Sequence, residues 1–419
     1  MRLAQSSTPG PRRRLRTAAA LVAAIGALAF STTACSGHGG SAAPTIVSSS
    51  QSSKSASASP APVADSSLSP SPSPSPVAST PAATGGLSAQ QLAGQRVVYS
   101  YPGLVPPAAL LQAIRSGEAA GVIFFGRNIS SEAQLSGAIA QLVAAQRQSP
   151  VAEPLLLMTD QEGGEVRRLP GGPTLSEKQI GESADPVTAA AQAGTAAAQN
   201  LAGVGMNVNL APVVDVFYAA GDFDDQYQRS YSSDPAAVAQ LGAAFITAQQ
   251  QAGVAATAKH FPGLGSATAS EDTDTGPVTL PVSLSQLRGT DEVPYQSAIA
   301  AGVKLVMVSW AIYPALDPSH PAGLSSAVVQ GELRERLGFT GVTITDALEA
   351  GALAAYGTPG QRAVDAAQAG MDLILCSSGS VSQGEDATSA LASALQSGQL
   401  DASTFNAAVD RVSALRSNL

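Results

Sequence analysis

Charged and polar side chains follow directly after several apolar runs of this sequence. Asp160 comes after the run 155–159, and Asp346 ends the run 341–346. Carboxylates, cationic side chains and an imidazole together can accept and donate the hydrogen bonds that sugar hydroxyls need. A carboxylate with a nearby proton donor can also cleave a glycosidic bond. The residues that we single out on this basis are Asp160, Asp215, Arg229, Lys259, His260, Trp310 and Asp346.

Other chemistries fit these residues less well. The sequence has no P-loop, so phosphate transfer is poorly served. Only three histidines are present, and His38 lies in a Ser-rich region. We therefore expect no metal ion and no cofactor. Trp310 either stacks on a sugar face or caps a barrel, and Asp215 either contacts substrate or braces a neighbouring cation.

The elements that must position these side chains are short apolar runs that alternate with helical patterns. Continuous apolar runs suit parallel strands that are buried on both faces. Eight strands, each followed by a helix, predict a (β/α)8 TIM-type barrel, whose active site lies at the C-terminal ends of the strands. A doubly wound open sheet is the alternative, but no GxGxxG follows the first run. The runs are 96–101, 121–125, 155–159, 206–216, 254–260, 305–309, 341–346 and 371–376.

The first 86 residues indicate export rather than a folded domain. A basic stretch from Arg12 to Arg16 precedes an apolar segment, 18–30, that is too short to span a bilayer. Residues 1–35 are predicted to be a signal peptide that ends in a lipobox-like Cys35, although Thr32 stands where Leu is usual. An ordinary secretory signal is the alternative. Residues 36–86 are a Ser/Pro/Ala-rich linker, and residues 87–419 form a single catalytic domain.

Composition narrows the class of partners. The chain has 419 residues, 44% of them hydrophobic, and a formal net charge of −9. An acidic chain without a basic patch argues against nucleic acid, and a membrane would be reached only through a lipid anchor. We expect a monomer that takes a small carbohydrate. If Cys35 is lipidated or removed, Cys376 has no partner for a disulfide and is predicted to be a core residue.

Several motifs together resemble family 3 glycoside hydrolases, and in particular the single-domain β-N-acetylglucosaminidase branch. The resemblance covers essentially all of 87–419, and its Lys-His-Phe-Pro-Gly motif is highly specific. The motifs begin at Asp160 (DQEGG), Lys259 (KHFPGLG) and Thr345 (TDAL), and further matches include Arg229 (RSY).

The resemblance implies a role for each matching residue. Asp346 matches the family nucleophile, which forms a covalent glycosyl-enzyme and retains the anomeric configuration. Asp160 matches a residue that binds sugar hydroxyls. A polar cluster that holds the ring is matched by Arg229, Lys259 and His260. The chain would then hydrolyse terminal β-N-acetylglucosaminyl residues, from peptidoglycan-derived fragments at the cell surface.

One part of the family pattern is missing. The branch takes its acid/base from an Asp–His pair in the loop after Lys-His-Phe-Pro-Gly, on a mobile segment. The corresponding loop here, residues 266–276, contains no histidine, and Leu264 replaces the usual His of Pro-Gly-His-Gly. The loop holds Glu271, Asp272 and Asp274. Our hypothesis is that Asp274, or otherwise Asp272, acts alone, because crowded carboxylates raise one another's pKa.

Three functions stay open at this point. The first is the exo-acting β-N-acetylglucosaminidase. The second is a β-glucosidase or β-xylosidase of the same family. The third is a surface sugar-binding lipoprotein that has lost catalysis, which the missing histidine favours. His320, in the loop 317–321, is a distant alternative as proton donor.

Overall fold

The computed structural model describes residues 86–419, in which eight parallel strands form the centre of the domain. Each strand is short and buried, with the polar candidates at or just beyond its C-terminal end. The strands are β1 (Val97–Tyr99), β2 (Gly121–Ile123), β3 (Leu156–Thr159), β4 (Val208–Asn209), β5 (Ala255–Phe261), β6 (Leu305–Val308), β7 (Val342–Thr345) and β8 (Ile374–Leu375).

The sheet closes into a barrel. Neighbouring strands pair in the order β7-β6-β5-β4-β3-β2-β1-β8, and a parallel bridge between Ile344 and Leu373 joins the two ends. Alternate residues of each strand point inward. Val98, Ile123 and Met158 belong to the interior layer of apolar side chains, whereas Val97 packs in the outer layer beneath the helices. Burial on both faces explains why the apolar runs are continuous rather than alternating.

Helices surround the barrel. Several of them begin at an N-cap residue. The Asp185 side chain, for example, accepts a hydrogen bond from the backbone N–H of Thr188, and Pro186 occupies the first helical position. The α-helices are Ala89–Gly94, Ala108–Arg115, Glu132–Gln146, Glu177–Gly181, Pro186–Val204, Phe223–Gln226, Pro235–Gln251, Leu284–Gln286, Val293–Ala300, Pro359–Ala369, Val381–Gln396 and Ala402–Ser417. Short 3₁₀ segments span Gly126–Asn128, Ala322–Leu324 and Gly351–Leu353, and π-helical segments span Leu287–Asp291 and Ala327–Arg336.

The predicted (β/α)8 barrel is confirmed, with strand lengths that differ from the apolar runs. The largest difference is the fourth run, 206–216, of which only Val208–Asn209 is a strand; Val213 adds a single bridge to Lys259. Pro212 explains the break, because proline has no N–H to donate to a neighbouring strand. The predicted signal peptide, Cys35 and almost all of the predicted linker lie outside the described residues. Within residues 86–419, none of the helices has the length and apolar character that crossing a bilayer requires.

Candidate active site

A pocket of about 230 Å³ opens at the C-terminal end of the barrel. Its floor is apolar and includes Met307 and Leu375, while Phe125 and Phe223 contribute aromatic surface. Asp215, Trp310 and His320 do not line this pocket, but the other seven candidate residues do. These seven are Asp160, Arg229, Lys259, His260, Asp272, Asp274 and Asp346. The strand ends therefore bring together side chains that are far apart in the sequence.

A buried carboxylate holds two of the three cations that line the pocket. Glu162 accepts two hydrogen bonds from Arg229, at 2.8 and 2.9 Å, and its Oε1 lies 2.7 Å from Nζ of Lys259. Burial alone would raise the pKa of Glu162, but the charges of Arg229 and Lys259 outweigh it and hold that pKa far below its ordinary value. Asp224 accepts a further hydrogen bond from Arg229 at 2.8 Å. Both cations are thus fixed before any ligand enters.

Asp160 stands where the barrel meets the pocket. Its Oδ1 accepts a 2.9 Å hydrogen bond from Lys259, and Oδ2 lies 3.8 Å from Nη2 of Arg168. The turn that follows packs tightly. Gly163 and Gly164 both have positive φ, and a Cβ on Gly163 would lie 2.1 Å from the carbonyl oxygen of Leu175. Only glycine fits this position, which fixes the direction of the chain beyond Asp160.

His260 is oriented by Asp215. Nδ1 of His260 lies 2.7 Å from Oδ2 of Asp215, and the same carboxylate accepts the backbone N–H groups of His260 and Leu264. Burial lowers the pKa of His260 to about 4 and raises that of Asp215 to about 6. At pH 7 the ring is therefore neutral, its Nδ1–H donates to Asp215, and Nε2 is left with a lone pair.

Asp346 follows β7 directly. Its Oδ1 accepts a 2.7 Å hydrogen bond from the backbone N–H of Ala347, which favours the ionised form. Burial raises the pKa of Asp346, the nearby Asp274 adds to that rise, and the charge of Lys259 opposes it. Trp310 is fully buried and donates from Nε1 to the carbonyl oxygen of Ala347 at 2.8 Å. Trp310 therefore packs against the segment that carries Asp346 and offers no face to a ligand in the pocket.

The carboxylates of the loop 266–276, hereafter the acidic loop, differ in what they contact. Glu271 accepts from the N–H and hydroxyl of Thr268, both at 2.8 Å, so it caps the loop itself. Asp272 accepts the backbone N–H of Asp274 at 2.9 Å. No donor among residues 86–419 reaches the Asp274 carboxylate. Partial withdrawal from water and the charges of Asp272 and Glu349 raise the pKa of Asp274.

The structure adds residues that the sequence analysis did not single out. Glu162 lies inside the DQEGG motif but was not assigned a role, and Asp224 carries no local signal. Asp215 braces His260, rather than Arg229 or Lys259. His320 pairs with Asp317 at 3.1 Å, is exposed, and does not line the pocket.

One group of residues in the described part of the chain has the spacing of a cation site. Ligand atoms of Asp215, Asp224 and His260 lie within 4.8 Å of one another. All three residues already have hydrogen-bonding partners: Asp215 accepts from His260 and Leu264, and Asp224 accepts from Arg229. The cationic guanidinium beside Asp224 disfavours a second positive charge there. We therefore assign the group to orientation of His260 and Arg229.

Several known proteins are similar to this chain in sequence. A secreted glycosyl hydrolase from Arthroderma benhamiae, described as uncharacterized, is 46% identical over 329 residues, which are 78% of this chain and 93% of that protein. A β-hexosaminidase from Stenotrophomonas maltophilia (strain K279a) is 36% identical over 263 residues, or 61% of this chain and 75% of that protein.

Solved structures of other proteins are similar to this chain in fold. A family 3 β-N-acetylglucosaminidase from Paenibacillus sp. FPU-7 superposes with a TM-score of 0.74 at 35% identity over 80% of this chain; the chain spans 63% of that protein. A β-N-acetylhexosaminidase from Beutenbergia cavernae gives 0.72 at 32% identity over 80% of this chain and 99% of that protein. The model of the glycosyl hydrolase family 3 N-terminal domain matches residues 95–415. The chain belongs to glycosyl hydrolase family 3.

Proposed function

We propose that this chain is a retaining exo-glycosidase that removes terminal β-linked N-acetylglucosamine. The observation that carries the proposal is the pocket itself: Asp346 faces a cavity of about 230 Å³ that also contains Asp274 and the sugar-binding candidates. A cavity of this size suits one sugar ring, so cleavage occurs at a chain end. The relatives named as β-N-acetylglucosaminidase and β-hexosaminidase support the choice of sugar.

Asp346 and Asp274 divide the chemistry between them. In the first step a carboxylate oxygen of Asp346 attacks the anomeric carbon, the bond from that carbon to the leaving oxygen breaks, and Asp274 gives its proton to that oxygen. In the second step water attacks the anomeric carbon, Asp274 takes the proton of the water, and the bond to Asp346 breaks. The two inversions together retain the configuration.

The environments of the two carboxyls fit these roles. Asp346 accepts a backbone hydrogen bond at 2.7 Å and lies near the charged Lys259, and both oppose the rise in its pKa that burial causes. Asp274 lacks such donors within the described chain and faces acidic neighbours, which favour its protonated form. The two carboxyls therefore differ in their contacts, which supports Asp346 as the nucleophile and Asp274 as the acid.

The fixed polar groups of the pocket recognise the ring. Asp160 offers carboxylate lone pairs, Lys259 and Arg229 offer N–H donors, and neutral His260 offers an acceptor at Nε2. Asp160 and Lys259 already contact each other at 2.9 Å, so a hydroxyl can bridge them without rearrangement. Recognition is therefore preorganised, which lowers the entropic cost of binding.

The site of action is the outer face of the cell. A basic and apolar N-terminal segment and a relative described as secreted both support export. We propose that Cys35 carries a lipid anchor and that the Ser/Pro-rich linker holds the domain away from the membrane. Peptidoglycan-derived fragments with a terminal N-acetylglucosamine are the substrates within reach there. A Cys35→Ser variant that stays in the membrane fraction would exclude this anchor.

A panel of aryl glycosides tests the proposal. Turnover of the aryl N-acetylglucosaminide, abolished in Asp346→Ala, is the expected result, and intact mass of the enzyme with a slowly hydrolysed fluorinated glycoside should show one covalent adduct on Asp346. Turnover of glucoside or xyloside alone would instead make the chain a β-glucosidase or β-xylosidase. Binding of N-acetylglucosamine without any turnover would make it a non-catalytic surface lectin.

A further inference from the structure

The acidic loop is held on both sides by hydrogen bonds that neighbouring segments donate to its backbone carbonyl groups. On one side Phe223 N–H donates to the carbonyl oxygen of Ala267 at 2.8 Å, and Nε2 of Gln226 donates to that of Ala269 at 2.8 Å. Such contacts restrain the loop from the side of the Phe223–Gln226 helix.

The other side is tied to the segment that follows the nucleophile. Gly351 N–H donates to the carbonyl oxygen of Asp274 at 2.8 Å, and Ala352 N–H donates to that of Thr273 at 3.0 Å. Gly351 lies five residues after Asp346, in the 3₁₀ segment Gly351–Leu353. The acid and the nucleophile of the proposed reaction are therefore joined through one short, hydrogen-bonded stretch of backbone.

Gly351 makes this contact possible because it has no side chain. A Cβ placed on Gly351 would lie 2.5 Å from both the carbonyl carbon and the carbonyl oxygen of Thr275, and 2.8 Å from the backbone nitrogen of Gly276. These are backbone atoms, so no rotamer change can relieve the overlap. Any larger residue must push the acidic loop away from the segment that follows Asp346.

We propose that Gly351 is a positioning residue that sets the distance of Asp274 from the glycosidic oxygen, by holding the acidic loop against the nucleophile segment. The acid is then preassembled rather than delivered by closure of a mobile loop. This inference rests on the proposed function. The absence of a histidine from the loop fits this role of Gly351. Aspartate has a shorter side chain than histidine, so its backbone must lie closer to the glycosidic oxygen and be held there.

Gly351→Ala tests the proposal through the leaving group. Protonation matters for a sugar leaving group and hardly at all for an activated aryl group, and kcat/KM reports the first bond cleavage. We expect kcat/KM for an N-acetylglucosamine disaccharide to fall at least about 10-fold. The value for 4-nitrophenyl N-acetylglucosaminide should fall less than about 3-fold. The alkaline limb of the disaccharide pH profile should shift in the same variant.

Two further variants keep the test decisive. Gly126→Ala lies on the same face of the barrel, and a Cβ there meets no atom within 4 Å, so it should change neither rate. Gln226→Ala removes one hydrogen bond from the opposite side of the loop and introduces no steric clash. It should lower kcat/KM less than Gly351→Ala does, and again more for the disaccharide than for the aryl substrate. Retained aryl turnover in each variant shows that the barrel is folded.

The outcomes separate this inference from the proposed function. Equal losses on both substrates, or no loss on either, in Gly351→Ala would overturn the positioning role while leaving Asp346 as nucleophile. If the wild-type protein cleaves a different sugar, the positioning role of Gly351 is tested in the same way, with a disaccharide and a 4-nitrophenyl glycoside of that sugar. If Asp274→Ala lacks leaving-group selectivity, the assignment of the acid fails, and with it the role of Gly351.

Discussion

Nδ1 of His260 lies 2.7 Å from Oδ2 of Asp215, and that carboxylate also accepts two backbone N–H groups, from His260 itself and from Leu264. Three donors thus converge on one buried carboxylate, and the His260 N–H is shared between its two oxygens. Their joint effect is to fix the tautomer of His260, with Nε2 left as an acceptor for a sugar hydroxyl. A residue with no direct role in the reaction therefore decides what the pocket can recognise.

Asp215→Asn should disturb that tautomer. An asparagine amide can donate to Nδ1, which would place the ring proton on Nε2 and turn an acceptor into a donor. We expect kcat/KM to fall by about 10- to 100-fold, equally for aryl and disaccharide substrates, because the ring is affected and the leaving group is not. Nitrogen NMR of the imidazole should show the changed tautomer. An unchanged ring spectrum would contradict this role, and Asp234→Asn, at an exposed helix cap, is the control.

Asp274→Ala should show the selectivity of a missing acid/base. The value of kcat/KM should fall about 100-fold or more for a disaccharide and far less for an activated aryl glycoside. Azide, a nucleophile that needs no general base, should restore kcat for the aryl substrate by yielding the glycosyl azide. Asp272→Ala and Glu271→Ala should not respond to azide. Azide rescue in Asp272→Ala would transfer the role to that residue.

Glu162→Gln should destabilise the domain. The change leaves the buried Arg229 and Lys259 without their shared counter-charge, which typically costs about 3–5 kcal/mol in the free energy of unfolding. Because the pKa of Glu162 is held below its ordinary value of 4.5, its contribution is present above pH 4.5 and is lost as the pH falls. Urea unfolding at pH 7 and pH 4 measures both effects.

The control for this substitution is Glu182→Gln. Glu182 is exposed and closes a short helix, so its replacement should change the free energy of unfolding by less than about 0.5 kcal/mol. A Glu162→Gln variant as stable as this control would show that Glu162 does not balance the two cations. KM should also rise in Glu162→Gln, because Arg229 and Lys259, which we propose bind the sugar, lose their fixed positions.

Asp291→Asn should change how stability depends on pH. Asp291 is fully buried, accepts from the hydroxyl of Tyr218 at 2.8 Å, and has no partner for Oδ1 in the described structure. Burial raises its pKa to about 7 from the ordinary value of 3.8. The protonated form therefore stabilises the fold below about pH 4, and this contribution is lost as the pH rises through 7.

An asparagine at position 291 cannot ionise. Relative to the wild type, the variant should gain on the order of 2 kcal/mol in the free energy of unfolding between pH 5 and pH 8. The comparison between the two proteins cancels the titration of other groups, including Asp215 nearby. Urea unfolding of both proteins at pH 5 and pH 8 measures this gain. A difference in the free energy of unfolding between variant and wild type that is the same at both pH values would contradict the prediction.

The barrel and most of its pocket could be predicted from the sequence alone. Eight continuous apolar runs determine strands that are buried on both faces, and the polar residues at the ends of several runs must then lie at one rim. Asp160, Lys259, His260 and Asp346 follow from that rule and from their motifs. Such information is local: it depends on hydrophobicity and order along the chain.

Only the tertiary structure decided how these residues are held. Glu162 became the common partner of Arg229 and Lys259 because folding brings distant strand ends together. Asp274 was favoured over Glu271 from the sequence, but only the structure shows that Glu271 accepts two hydrogen bonds from Thr268 within the acidic loop. The contact of Gly351 with that loop also depends on atoms far apart in the chain. Burial and partner charges set each pKa, and neither is encoded at a single position.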